Sequence, residues 1–208
     1  MIVTEDEARA YVAGLTDEGG MARLERFAAL VLEENQRQNL IAKATEPHIW
    51  QRHIADSAQL IENVSCETFG PNAHGPWLDL GSGPGFPGLV IAALNPNMPV
   101  VLVESRARRV EFLESAIAAL DLRKCRVEGQ RLERVTPFPA RAISARAFAP
   151  LPKLLALSAP FSTRQTVYVL PKGRSAAQEL EALKPSSRAM FHVKHSLTDP
   201  DAGIIVKA

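Results

Sequence analysis

Two cysteines in 208 residues, Cys66 and Cys125, are too few for a disulfide framework or a four-cysteine metal site. Cys125 falls in a short apolar-leaning stretch and reads as a buried thiol, and no metal centre is expected. No apolar run approaches the length of a membrane span. The start, Met1-Ile2-Val3-Thr4-Glu5-Asp6-Glu7, is acidic and lacks the basic-then-apolar layout of a secretory signal. A cytoplasmic protein with no membrane partner, and a monomer, is therefore expected. Internal repeats and low-complexity tracts are absent. An excess of charge of either sign is missing too: 24 Lys and Arg against 23 Asp and Glu leave a net charge of +1, so a polyanionic partner would have to meet positive charge concentrated locally.

What remains is an ordinary globular composition, 46% hydrophobic and 23% charged. The first third reads helical. Thr4 with Glu7 three positions on is a capping box opening a helix to about Ala13. A second helix runs from about Asp17 to Gln38, with Leu24, Phe27, Ala28, Val31 and Leu32 along one side. A third is expected around Glu46 to Asn63, and Ser65 to Pro76 reads as a linker. From Trp77 the pattern becomes an alternation of short strands and helices. The strands are Trp77 to Leu80, Val100 to Glu104, Cys125 to Glu128, Ala142 to Ala145 and Val167 to Leu170. Helices at Leu89 to Leu94, Arg106 to Leu120, Leu151 to Ser158 and Ala176 to Leu183 lie between and after them. Met190 to His195 and Ile204 to Val206 form a last pair of strands. The expected fold is α/β: a doubly wound, mostly parallel Rossmann-like sheet over residues 76–208, with a helical extension over 1–75 packed on it.

The first strand runs into Gly81-Ser82-Gly83-Pro84-Gly85-Phe86-Pro87-Gly88. Glycines at 81, 83 and 85 leave backbone N–H groups open to close approach at a helix N-terminus, the arrangement that binds adenosine-containing cofactors. By itself this motif is shared by NAD, FAD and S-adenosylmethionine (SAM) proteins. Glu104 ends the second strand 23 residues after Gly81, where an acid accepting from ribose hydroxyls is expected. Asp79 suits the cationic groups of SAM better than a diphosphate, which tilts the reading towards SAM and a methyltransferase.

Further segments carry a resemblance. Asn39-Leu40, Arg52-His53-Ile54-Ala55-Asp56-Ser57, the Asp79 to Gly88 turn, Glu104-Ser105 with Arg109 and Phe112-Leu113, Ser144-Ala145-Arg146-Ala147-Phe148-Ala149-Pro150-Leu151 and Lys172-Gly173 follow in order. Together they resemble the bacterial small-subunit rRNA guanine-N7 methyltransferases, RsmG, also called glucose-inhibited division protein B. The resemblance implies a SAM-dependent, Rossmann-like methyltransferase acting on a guanine N7 in the 530-loop region of 16S rRNA. The partner it implies is that rRNA or the small ribosomal subunit. By position it implies cofactor contacts at Gly81, Phe86, Leu132, Glu133 and Arg146. One departure is visible: Arg141 stands where the family usually has an aspartate.

Guanine N7 is a lone-pair acceptor with no proton to remove, so the transfer asks for positioning and electrostatics rather than a general base. Consistent with this, no Asn/Asp-Pro-Pro-aromatic tetrapeptide is present. Arg146, after a strand at the ligand-bearing edge, is the candidate catalytic residue; it would bond the cofactor's carboxylate or, alternatively, guanine O6. The cofactor is preferred, because N7 methylation makes the purine cationic and a close arginine would oppose that. Phe86 and Phe148 are candidates to flank adenine or stack on the target base, with core packing the competing reading for Phe148. His53 and Asp56 sit three apart on a helix and are expected to meet, locking the extension onto the sheet. Arg106, Arg108, Arg109, Phe148 and Lys172 are the expected RNA-binding set, although arginines on an amphipathic helix are often merely solvated. Competing functions are an NAD(P)-dependent oxidoreductase using the same turn, a non-catalytic RNA-binding factor and a small-molecule methyltransferase.

Overall fold

The computed structural model describes residues 1–64 and 75–207; most of the expected linker and Cys66 lie outside them. Helix α1 (Glu5–Ala13) opens on the expected box: Glu7 N–H donates to Thr4 Oγ1 at 3.1 Å and Thr4 N–H to Glu7 Oε2 at 3.2 Å. Helix α2 (Glu18–Gln38) is capped by Asp17, whose carboxylate accepts from Gly20 N–H, and stops where Asn39 turns left-handed.

The third expected helix is broken. Residues Lys43–His48 form a 3-10 turn, Trp50–Ala55 a π-turn, Asp56–Ala58 one α-turn and Gln59–Asn63 another 3-10 turn. Three local causes are present. Pro47 interrupts the first piece. Ser57 Oγ donates back to His53 carbonyl at 2.6 Å, competing with the helical ladder. Glu5 reaches over from α1 and accepts from Trp50 and Gln51 N–H at 3.0 and 2.8 Å, anchoring the π-turn to the first helix.

Seven strands form one sheet: β1 (Trp77–Leu80), β2 (Val100–Val103), β3 (Cys125–Glu128), β4 (Ala142–Ala145), β5 (Val167–Gly173), β6 (His192–His195) and β7 (Gly203–Lys207). Their order is β3-β2-β1-β4-β5-β7-β6. The first five strands pair in parallel, and β7 runs antiparallel to both β5 and β6. Helices α3 (Gly88–Leu94), α4 (Ala107–Ala119), α5 (Leu151–Ser158), α6 (Ala176–Glu181) and α7 (Pro185–Arg188) connect or follow the strands. Period-two alternation divides the core in two. Trp77, Val100, Leu102 and Val206 pack with α3, α4 and the N-terminal extension, while Leu78, Val101, Ile143 and Ile205 pack with α5 and Phe191. Cys125 is buried as expected, which pushes its thiol up to about 12.

The strand order reverses between β1 and β4, the switch point at which open parallel sheets bind ligands. Register makes this specific. Leu80 pairs with Val103 on one side and with Ala145 on the other. The next residues along are Gly81, Glu104 and Arg146, so the sheet alone brings three candidate site residues to one edge.

Candidate active site

The glycine turn is built from beneath by Asp79, which is fully buried. Its Oδ2 accepts from Gly88 N–H at 3.2 Å and its Oδ1 from Ser144 Oγ at 2.6 Å; Ser144 Oγ in turn accepts from Trp77 Nε1 at 2.8 Å. Burial raises the carboxyl's pKa and these donors pull it back. The acid expected to face the cofactor is thus engaged inside the fold, tying β1, β4 and the start of α3 together. Gly81, Gly83 and Gly85 all have positive φ, at 67°, 56° and 98°.

Glu104 closes the turn from β2. Its Oε2 accepts from Gly83 N–H at 3.0 Å, and its Oε1 from Ser105 and Arg106 N–H at 2.7 and 2.9 Å. A carboxylate offers about four acceptor sites, so one remains on Oε2, with Arg109 Nη1 3.9 Å away. A cleft of about 380 Å³ opens here, lined by Gly81, Glu104, Arg106, Arg109, Leu132, Glu133 and Phe148 among others. A turn with glycine at 81, 83 and 85, a carboxylate with an acceptor site to spare and buried, apolar Leu132 fit the ribose and base of an adenosine cofactor. A second, larger cleft of about 850 Å³ is lined by Arg52, His53, Asp56, Arg146, Lys172 and Thr198, among others. The two share one wall, Ala147-Phe148-Ala149. Within that wall Ala147 has a φ of 53°, uncommon for a residue with a side chain. The Phe148 ring lies so close to Gly81 that a Cβ there would meet Cδ2 at 2.8 Å.

Arg146 faces the larger cleft. Its Nη1 donates to His53 Nδ1 at 3.1 Å, and its guanidinium stands 5.3 Å from the Phe86 ring centroid. Arginine has only donors, so His53 Nδ1 is the acceptor and the ring proton sits on Nε2. That nitrogen donates to Thr45 Oγ1 at 2.8 Å, and Thr45 Oγ1 donates to the Ala42 carbonyl, also at 2.8 Å. Desolvation, then the charges of Arg146 and Arg52, press the imidazole pKa down to about 3. His53 is neutral throughout the physiological range. Phe86 is 2% exposed, stacked on His53 at 5.0 Å and tilted against Phe27 at 5.1 Å. Its ring is therefore packed in the core beneath Arg146.

His53 and Asp56 do not bond each other. Asp56 Oδ1 accepts from Thr198 Oγ1 at 2.8 Å and from Gln59 Nε2 at 2.9 Å. The lock between extension and sheet exists, but each residue reaches across to a different loop. Lys172, of the expected RNA-binding set, has a side chain that is 6% exposed and lies 2.9 Å from Glu179 Oε2. Lys172 Nζ donates to the Ala149 carbonyl at 2.8 Å while Glu179 Oε2 accepts from Leu151 N–H at 2.8 Å. This pair holds the shared wall from both sides of Pro150. The expected arginine cluster is also dispersed. Arg106 and Arg109 line the smaller cleft, whereas Arg108 lines a separate groove with Glu34 and Arg37 of α2. Thr45, Ser144 and Glu179 were not singled out from the sequence, because their roles depend on contacts made far along the chain.

Arg141 begins β4's approach at the opposite end of the sheet, donating from Nε to the Gly75 carbonyl. Arg141, the departure expected from the resemblance, lines neither cleft.

Residues 21–199 match the family model described as rRNA small subunit methyltransferase G. The chain belongs to this family. A ribosomal RNA small subunit methyltransferase G from Erythrobacter litoralis is 55% identical over 99% of this chain and 97% of its own length. Another from Novosphingobium aromaticivorans is 54% identical over 99% of this chain and 88% of its own length. Among solved structures, a ribosomal protein L11 methylase from Lactobacillus delbrueckii has a TM-score of 0.56 at 12% identity, covering 76% of this chain and 78% of its own. That likeness carries the fold alone. Membership makes the chain a SAM-dependent methyltransferase, and the oxidoreductase reading falls away.

Proposed function

We propose that the chain methylates N7 of a guanine in the 530-loop region of 16S rRNA. The observation that carries this reading is the pair of clefts meeting at Ala147-Phe148-Ala149, one built for adenosine and one open to a larger acceptor. When bound, SAM supplies an electrophilic methyl group on a sulfonium. Gly81 and Glu104 would hold its ribose side, and Leu132 with Glu133 the base. Gly83, Gly85 and Asp79 shape the turn that makes this possible.

The acceptor's N7 lone pair needs no base, in keeping with a neutral His53 that holds Arg146 rather than moving a proton. Arg146 lines the larger cleft and not the smaller one. This placement favours donation to guanine O6 over the cofactor's carboxylate, with Asp56 and Asp79 offsetting the guanidinium's charge against the cationic product. Phe148, at the junction, would stack on the target base or cover the transferring methyl.

The test is transfer of labelled methyl from SAM to small subunits and to naked 16S rRNA, with the product mapped for N7-methylguanine. Label in the rRNA at that position is expected; label only in protein or small molecules would overturn the reading. Arg146→Gln separates its two roles. A raised KM for RNA with unchanged SAM affinity assigns O6, and the converse assigns the cofactor.

A further inference from the structure

Between Ala182 and Thr198 the sequence contains no aspartate or glutamate, yet it carries Lys184, Arg188, His192, Lys194 and His195. All five side chains are exposed. None of them makes an ion pair or side-chain hydrogen bond among the described residues. The contrast with the larger cleft is sharp, since Arg52 and Lys172, which line it, and nearby Arg174 are each paired with an acid.

The topology arranges these charges as a stripe. Arg188 ends α7, the chain turns, and β6 runs along the outer edge of the sheet in the same direction as β5. His192 and Lys194 stand on one face of β6, about 6.6 Å apart by strand rise, and His195 lies at its end. The next residue, Ser196, lines the larger cleft. The stripe therefore runs up the edge and ends at the mouth of the acceptor cleft. With a net charge of only +1, attraction of a polyanion depends on local clusters of this kind.

Building on the proposed rRNA activity, we infer that this edge, from Lys184 to His195, docks the phosphate backbone of the RNA and leads it towards the larger cleft. Lysine on an edge strand also blocks pairing with another sheet. That role does not call for Arg188, which lies off the strand.

Arg188→Glu/Lys194→Glu, placed in the full chain, tests the inference by methyl transfer to naked 16S rRNA and to small subunits across a potassium chloride series. The RNA KM is expected to rise about tenfold at low salt, and the logarithmic salt slope to flatten by about 1.4 to 1.8, the loss of two phosphate contacts. The kcat and the calorimetric SAM affinity should hold, and Arg188→Lys/Lys194→Arg should behave as the parent. An unchanged KM and salt slope would overturn the docking, as would a change confined to the oligomeric state. A defect on subunits but not on naked rRNA would indicate a protein contact and also overturn it. If the parent chain methylates no RNA, the activity reading fails separately; rRNA filter binding by parent and variant then decides the docking alone.

Discussion

The chemistry of single residues is set here by what each one's partners leave free. His53 is a neutral spacer between Arg146 and Thr45, and its folded-state pKa lies at about 3 against an ordinary 6.5. The unfolded chain therefore takes up a proton that the folded chain refuses as pH falls through that interval, so this group's contribution to stability is present above pH 6.5 and is lost on acidification. Asp56 and Asp79 act in the opposite sense, since burial raises their pKa. Comparing the parent with His53→Gln at each pH cancels the two acids. The parent's advantage in urea unfolding should shrink by about 1.4 kcal/mol for each pH unit below the ordinary histidine value; a constant difference would show that His53 is not buried neutral. Gly81 is the second sensitive residue, with a φ of 67° and the Phe148 ring against it. Gly81→Ala should weaken SAM binding by about tenfold, from the roughly 1–2 kcal/mol of left-handed strain and the displaced ring. Calorimetry on the folded variant measures it.

Elements of the sheet were legible in the sequence because each is a short apolar run closed by a turn, and parallel register then carried Gly81, Glu104 and Arg146 to one edge. The segment from Lys43 to Asn63 was not legible as it is. Ile49, Ile54, Ala58 and Ile61 keep helical spacing, but Pro47 and the back-bonding Ser57 break the ladder, and Glu5 captures its amides. Asp79 and Lys172 misled for a related reason: residue type announces a charge, whereas its partner depends on tertiary placement. Lys172 clamps the wall between the clefts together with Glu179. Lys172→Met should cost about 3 kcal/mol by stranding the partly buried carboxylate. Lys172→Met/Glu179→Leu should recover much of that stability but not the kcat, because the Ala149 carbonyl and Leu151 N–H stay unheld. Joint recovery of stability and kcat would reduce the clamp to a stability device.

At the scale of the whole molecule, the helical extension and the sheet are joined near the two ends of the chain. The turn between β6 and β7 receives Ile2 N–H on the Leu197 carbonyl at 2.7 Å, gives Leu197 N–H to Gln59 Oε1 at 2.7 Å and bonds Asp56 through Thr198. Gln59 Nε2 adds a bond to Ser196 Oγ at 3.0 Å. Extension and sheet also share one apolar cluster, in which Phe27 and Trp50 pack with Trp77 and Val206. They should therefore unfold together, although their secondary structure is of different kinds. The two tryptophans make this measurable, because Trp50 reports on the extension and Trp77 on β1. Trp50→Phe and Trp77→Phe each leave one reporter, and each should show a single urea transition that coincides with the loss of circular dichroism for that same variant. Adding Gln59→Ala strands the Leu197 amide and removes the Ser196 bond, a loss of about 2–3 kcal/mol. That loss should shift the transition seen by either tryptophan by the same amount. If only the Trp50 signal moved, the extension would be a separately unfolding unit, and its hold on Arg146 through His53 would be open to local release.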